Sequence, residues 1–249
     1  MAWSCVLFGW SFCRNNATRR IVRFANSSRE STLIDILKTM AALSIGYLLG
    51  SLNSSLIVAR AYGVEIRTLG SKSAGLTNAL RVLGKGAAVF VLVGDILKGV
   101  VACLIGLWIG VYVQAGDAVD CVSLLAAAAG AVIGHNWPVY FNFVGGKGAL
   151  TAAAVMFIIN WVTSLVSLCV FIFVVAATRY VSLGTILACT FFVIISLLPV
   201  FGNTIYFHAT SFTLALIIVI KHRENVKRLL SGKENKLNLG SRGSASRKT

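Results

Sequence analysis

Apolar residues along this chain fall into long runs separated by short polar stretches. The runs cover 41–59, 87–113, 119–139, 149–178, 181–200 and 204–220. A helix that crosses a bilayer needs about 20 residues, within a range of about 17–25. Five runs therefore predict one spanning helix each, the second with extra turns. The run at 149–178 fits either one tilted helix or two short ones broken near residues 160–164. Within the runs, Gly46/Gly50, Gly106/Gly110 and Gly130/Gly134 have the G-x-x-x-G spacing that lets helices pack closely.

Charge placement decides between the two counts. The loop 60–85 carries Arg60, Arg67, Lys72, Arg81 and Lys85, and the stretch from Lys221 onward carries nine Lys/Arg. The loop 114–120 holds only Asp117 and Asp120, and the break at 201–203 holds no charge. Positive loops stay cytoplasmic. Placing 60–85 and the C-terminal stretch on the same side requires an even number of spans between them, so 149–178 reads as two. The expected fold is an all-α bundle of seven transmembrane helices, N-terminus outside and C-terminus cytoplasmic. Its cytoplasmic segments are 60–85, 141–148, 179–182 and 221–249. Arg14, Arg19, Arg20, Arg23, Arg29 and Lys38 would then lie outside, against the charge rule. Met40 opens a clean apolar span, so residues 1–39 read as a mis-assigned or disordered extension. Residues 40–236 read as the membrane domain and 237–249 as a disordered basic tail.

Composition agrees. The chain of 249 residues is 57% hydrophobic and 12% charged, with a mean hydropathy of +0.83. That excludes a water-soluble globule and a disordered chain. The net charge of +15 reads as topology and lipid headgroup contact rather than nucleic-acid binding, because the basic residues lie between spans. The six cysteines form no C-x-x-C, and no His/Cys/Asp/Glu set has metal-ligand spacing. No metal and no cofactor are expected.

The informative polar residues all fall on the cytoplasmic side. Gly70, Ser71, Lys72, Ser73, Gly75, Thr77 and Asn78 form a small-residue turn followed by Arg81. Such a turn can aim backbone amides and hydroxyls at an anion, or be a plain interhelical loop. His135 and Asn136 precede Gly145, Gly146, Lys147 and Gly148, which open a helix. Glycines and a lysine at a helix N-terminus attract anions through free amides and the helix dipole. A re-entrant turn with a snorkelling lysine gives the same pattern. Ser182 follows Arg179 and Tyr180 at a span boundary. His222 and Asn225, three residues apart, share a helix face. Asp95 and Lys98 lie inside a span at i, i+3, as a structural ion pair or as part of a substrate site. Besides Asp95, the acids expected near these clusters are Glu65 and Glu224. No H-x-x-x-x-D occurs. The predicted site is rich in cations and donors and poor in bases, which suits a phosphate-bearing substrate.

In order along the chain, GYLLGSLNSSLIVAR (46–60), GSKSAGLTNALR (70–81), LGK (83–85), DILKG (95–99), GHNWPVYFNFVGGKGALT (134–151), TRYVSLGT (178–185) and HRENVKRLLSGKEN (222–235) resemble one family. It is that of the bacterial acyl-phosphate:glycerol-3-phosphate acyltransferases of the PlsY type. The resemblance implies seven spans, a cytoplasmic active site and residence in the bacterial inner membrane. The implied reaction moves a fatty acyl group from acyl phosphate to the 1-hydroxyl of glycerol 3-phosphate, yielding lysophosphatidic acid and phosphate. That is the first acylation of phospholipid synthesis. The family's catalytic positions map to Ser71, Arg81, Lys147, Ser182, His222 and Asn225. Its glycines thought to hold glycerol 3-phosphate map to Gly70 and Gly75. Lys72, Ser73 and Leu76 stand where the family motif has Gly, Asn and Ala, and Asn53 where it has Pro or a small residue.

A mechanism consistent with these residues has Lys147, Arg81 and the amides of 145–148 on one phosphate, with Ser71, Thr77 and Asn78 orienting the other. Gly70, Gly75, Lys98, His135, Asn136, Gly145, Gly146 and Gly148 are further substrate-binding candidates. His222, fixed by Asn225, or a substrate phosphate oxygen accepts the proton. The acyl chain is expected in the bilayer between spans, the partners are the two substrates and membrane lipid, and the protein is expected to be a monomer. The alternative from another class is a transporter or channel for a phosphate-bearing solute, with Asp95/Lys98 as its intramembrane site.

Overall fold

A computed structural model describes residues 29–112, 121–198 and 204–237. Among them all regular structure is helical. The helices are α1 (Arg29–Ser51), α2 (Ser54–Ala61), α3 (Leu76–Val82), α4 (Lys85–Tyr112), α5 (Cys121–Asn136), α6 (Ala149–Ile159), α7 (Trp161–Thr178), α8 (Val181–Ser196), α9 (Ile205–Lys221) and α10 (Arg223–Leu230). The acidic residues Asp117 and Asp120, the break at 201–203 and the tail beyond 237 lie outside the described residues. So do residues 1–28. Helix α1 begins at Arg29 and runs unbroken through Met40.

Asparagines set two of the breaks. Asn53 caps α2, its Oδ1 accepting from Leu56 N at 3.1 Å, while its Nδ2 donates to His135 O at 3.3 Å. An N-cap side chain of this kind satisfies an amide that the helix leaves unpaired. Asn160 does the same for α7, accepting from Thr163 N at 3.1 Å. It also ends α6 through its own N–H, which donates to Met156 O at 2.8 Å. The long run at 149–178 is thus two helices, broken at residue 160.

Four helical segments are long and apolar enough to cross a membrane, 33–61, 85–111, 122–141 and 161–178. A fifth is gained if α9 and α10, bent by 55°, count as one. Helices α6 (11 residues) and α8 (16 residues) are apolar but shorter. The outer faces are apolar. On α4, Phe90 (69% exposed), Val93, Leu97, Leu104 and Trp108 line one exposed stripe. The opposite stripe of α4, Val91, Asp95, Lys98 and Ala102, is buried. A helix that is apolar outside and carries its charges inside has lipid, not water, as its solvent.

Helices α1 and α5 hold the bundle through reciprocal glycines. A Cβ at Gly46 or Gly50 would overlap the backbone of Ala127 or Ala131, and one at Gly130 or Gly134 the carbonyls of Leu43 or Tyr47. Gly106 brings α4 onto the same helix, where a Cβ would lie 2.6 Å from Ala127 Cβ. The contacts between α1 and α5 are backbone on backbone, the closest approach that helices make.

Candidate functional site

Helices α3 to α10 enclose a cavity of about 450 Å³. Four separate stretches of chain supply its polar rim.

The first is the loop before α3. Asn78 is buried and clamps that loop: its Oδ1 accepts from Ser71 N at 2.8 Å, and its Nδ2 donates to Ile66 O at 3.1 Å and Leu69 O at 3.0 Å. Both amide hydrogens are thereby used within the loop, while Oδ1 keeps a second acceptor position. Ser71, Gly75, Thr77 and Arg81 reach the cavity wall beside it. The chain turns through the left-handed region at Gly70 (φ +58°) and again at Lys72 (φ +57°). A side chain there costs about 1–2 kcal/mol relative to glycine.

The second is 145–148. Gly145 and Gly146 lie flat on His135, with no room for a Cβ, and Gly146 N donates to His135 O at 3.1 Å. Gly148 (φ +77°) turns the chain into α6. This sequence of turns sets Lys147 on the cavity wall, where its Nζ donates to Asn225 Oδ1.

The third stretch, the α7–α8 turn, presents Ser182 in the first turn of α8. The fourth is the bend between α9 and α10. The apolar run of α9 stops at Ile220, so His222 stands at the end of the span. It is 4% exposed and donates from Nδ1 to Ile218 O at 2.7 Å. A carbonyl only accepts, so Nδ1 carries the proton and Nε2 is the lone-pair nitrogen.

Glu234 joins the third and fourth stretches. It accepts from Ser182 Oγ at 2.9 Å, Asn225 Nδ2 at 2.7 Å and Arg228 Nε at 2.8 Å. The strap that carries it is tied down twice more, by Arg81 Nη2 to Asn235 O at 3.2 Å and Leu237 N to Arg179 O at 2.8 Å. The sequence pattern places Glu65 and Glu224 as the acids nearest these clusters besides Asp95. Both are exposed and paired with their own neighbours, Arg67 and Lys227. Glu234 is the carboxylate of the rim; its sequence signal is Gly232, whose positive φ returns the chain after α10.

Burial and neighbouring charge tune these groups. Burial, then Arg228 and Arg81, lower Lys147 to about 8, against the opposing pull of Glu234. Burial and Lys147 lower His222 to about 4, so its ring is neutral at pH 7. Burial alone would raise Glu234, but its three hydrogen bonds hold it below the ordinary carboxylate value.

Deeper in the bundle, Lys98 Nζ pairs with Asp95 Oδ1 at 2.8 Å, sits 2.9 Å from His135 Nδ1 and reaches Leu52 O at 3.4 Å. Asp95 and His135 are on the cavity wall. Lys98 stands behind it, as do Gly70, Asn136, Gly145 and Gly146. Those three glycines shape the loops, and Asn136 is packed under Gly148, where a Cβ would meet its Oδ1 at 2.6 Å.

Below the rim the cavity becomes an apolar shaft. Helix α9 lines it with Ser211, Leu214, Ala215 and Ile218, and the same stripe continues past the bend as His222 and Asn225. Helix α8 contributes Ser182, Thr185, Ala188, Cys189 and Phe192. Met156 and Phe157 of α6 and Leu168 and Phe171 of α7 close the other walls.

A helical membrane protein with cations and hydroxyls around the mouth of an apolar shaft is built for an anionic amphiphile. Comparison with known proteins narrows that class. Residues 40–232 match the family model described as "Glycerol-3-phosphate acyltransferase". A glycerol-3-phosphate acyltransferase of Clostridioides difficile (strain 630) is 42% identical over 200 residues, covering 78% of this chain and 92% of the relative. One of Shouchella clausii (strain KSM-K16) is 40% identical over 205 residues, covering 81% and 97%. The crystal structure of PlsY (YgiH), an integral membrane glycerol 3-phosphate acyltransferase, in its glycerol 3-phosphate form matches with a TM-score of 0.72. Identity is 32%, over 80% of this chain and 96% of that one. The chain belongs to the glycerol-3-phosphate acyltransferase family.

Proposed function

We propose that this cavity transfers a fatty acyl group from acyl phosphate to the 1-hydroxyl of glycerol 3-phosphate, releasing lysophosphatidic acid and phosphate. The observation that carries the reading is the convergence of Ser71, Arg81, Lys147, Ser182, His222 and Asn225 on one cavity, from four stretches far apart in sequence. Residues 40–236 form the catalytic unit. It crosses the bacterial inner membrane seven times as a monomer, N-terminus outside, with the rim at the cytoplasmic face. The shortness of α6 and α8 is accommodated by bilayer thinning around the site.

Acyl phosphate is a mixed anhydride and needs modest activation. Lys147 and Arg81 neutralise one phosphate, while Ser71 and Thr77 orient the other. Holding hydroxyl and carbonyl as a near-attack pair contributes up to about 7–11 kcal/mol. Donors on the developing oxyanion add roughly 3–4 kcal/mol each. The glycerol oxygen bonds to the acyl carbon, the carbon–oxygen bond to phosphate breaks, and the proton passes to His222 Nε2 or to a phosphate oxygen. In the empty site His222 is a weak base. A phosphate dianion bound beside it raises its proton affinity, so base strength arrives with substrate.

The test is the purified protein in detergent with palmitoyl phosphate and glycerol 3-phosphate. Inorganic phosphate released only when both are present is the expected result. Solute flux through proteoliposomes without phosphate release would replace this reading with transport.

A further inference from the structure

Lys147 is the one lysine on the cavity wall among the described residues. Its surroundings hold it there. A Cβ on Gly145 or Gly146 would overlap His135, and Gly148 turns the chain at φ +77°. Lys147 Nζ donates to Asn225 Oδ1, and Asn225 is fixed from its other side by Nδ2, which donates to Glu234 at 2.7 Å. Glu234 itself is paired with Arg228 at 2.8 Å. His222 shares the wall, with its lone-pair nitrogen Nε2 unused by Ile218. An amine, a base and a water-poor space are thus gathered in the cavity that would receive an acylating agent.

We propose that Lys147 is a site of self-acylation: when glycerol 3-phosphate is absent, acyl phosphate seated in the cavity acylates Lys147 Nζ and leaves the protein inactive. This rests on the acyl-phosphate reading above. With no acceptor present, the cations of the rim are open to the donor's own phosphate. A phosphate oxygen held by Nζ is three bonds from the acyl carbon, so the amine that grips the donor also stands beside its electrophilic centre. The charged form grips and the neutral form attacks, which makes the step slow beside transfer to a hydroxyl. Burial, with Arg228 and Arg81, lowers Lys147 to about 8, so roughly a tenth of it is neutral at pH 7. The nitrogen lone pair adds to the acyl carbon, the carbon–nitrogen bond forms and the carbon–oxygen bond to phosphate breaks. The amine's proton leaves on the phosphate, directly or through His222 Nε2. One acyl phosphate and one neutral amine become one amide and one hydrogen phosphate. The other wall groups are poorer candidates: Arg81 stays protonated, and the Ser182 hydroxyl already donates to Glu234. The amide carries no charge, so the rim loses a cation that attracts phosphate. Glycerol 3-phosphate opposes the step twice, by filling the cation site and by offering a hydroxyl that takes the acyl group.

The test incubates the purified protein in detergent with palmitoyl phosphate alone and follows it by intact mass and peptide mapping. The expected result is one palmitoyl group per chain, on Lys147, with transfer activity lost in parallel. Glycerol 3-phosphate present from the start should slow labelling at least tenfold, and a change from pH 7 to pH 9 should speed it about tenfold. Lys147→Arg, its fold checked by Tm, should take no label. Label on a cavity hydroxyl such as Ser71, label spread evenly over the exposed Lys72, Lys85 and Lys227, equal labelling of Lys147→Arg, or no label in protein that does acylate glycerol 3-phosphate would each overturn the proposal. Protein that forms no lysophosphatidic acid when given both substrates strikes the acyl-phosphate reading itself, and a separate reaction reads that outcome.

Discussion

Lys147 should impose an alkaline limit on phosphate binding. Its ammonium is buried on the cavity wall and donates to Asn225 Oδ1, facing Arg81, Arg228, Glu234 and His222. Burial and the two guanidinium groups lower it to about 8. Only the charged form attracts a phosphate, so affinity is fully present below that value and is lost as pH rises through it. Between pH 7 and pH 9 the charged fraction of a group with this value falls about tenfold, which corresponds to roughly 1.4 kcal/mol of binding. The other groups do not confuse the measurement. His222 is already neutral throughout this range, and Glu234 remains ionised. The assay is KM for glycerol 3-phosphate with acyl phosphate held well below its own KM, so that the site is not already occupied by a phosphate, across pH 7 to 9.5. KM should climb about fivefold from pH 8 to pH 9 and approach tenfold per pH unit beyond. Lys147→Arg keeps its charge over this range, so its KM, even if higher at pH 7, should stay flat. A rising limb of the same position in Lys147→Arg, or no limb in the unmodified protein, would refute the assignment.

Glu234→Gln should cost roughly 3 kcal/mol of stability, because Arg228 loses its charged partner and Ser182 and Asn225 weakened acceptors; thermal unfolding in detergent reads it, and an unchanged Tm counts against the strap. Lys72→Gly should stabilise by about 1 kcal/mol, since φ of +57° suits glycine. A Tm raised by a few degrees is the expected sign, and a lowered one would mean that the lysine side chain makes a compensating contact. Asp95→Asn alone should destabilise by about 3–5 kcal/mol by leaving Lys98 charged and buried, whereas Asp95→Asn with Lys98→Met should recover most of it. Size-exclusion chromatography and Tm decide, and a double variant no better than the single would show that the pair is not the reason.

Hydropathy and charge made the helices legible, including the two-helix count for 149–178. That count came from loop charges, and the structure puts the break at Asn160, an asparagine able to end one helix and cap the next. The G-x-x-x-G pairs were equally readable, because the spacing itself states a close backbone approach. Ser71, Arg81, Lys147, Ser182, His222 and Asn225 reach the cavity from the polar segments at or beside helix ends, where polarity already marks them. What the sequence concealed was the direction of individual side chains. Asn78 looks like a ligand group in its motif, and it does line the cavity, but both its amide hydrogens and one acceptor position of its Oδ1 are used to clamp its own loop. Gly145 and Gly146 look like an anion cradle, yet they are packing surfaces for His135. Glu234 carries no helix-face signal, because it follows a turn rather than lying on the face shared by His222 and Asn225.

One helix explains why the two halves of an amphiphile meet at the rim. The stripe Ser211, Leu214, Ala215, Ile218, His222, Asn225 keeps a single face toward the cavity across the 55° bend. The bend turns α10 across the mouth, and Glu234 fastens it to Ser182 on the far wall. The rim's cations and hydroxyls are thereby held over a shaft whose walls are apolar, so in the reaction proposed above the desolvation that draws an acyl chain into an apolar space would act on the same molecule as the charges that attract its phosphate. The boundary between those two environments falls at Ile218 and His222, one helical turn apart, which is where the carbonyl between chain and phosphate would have to stand.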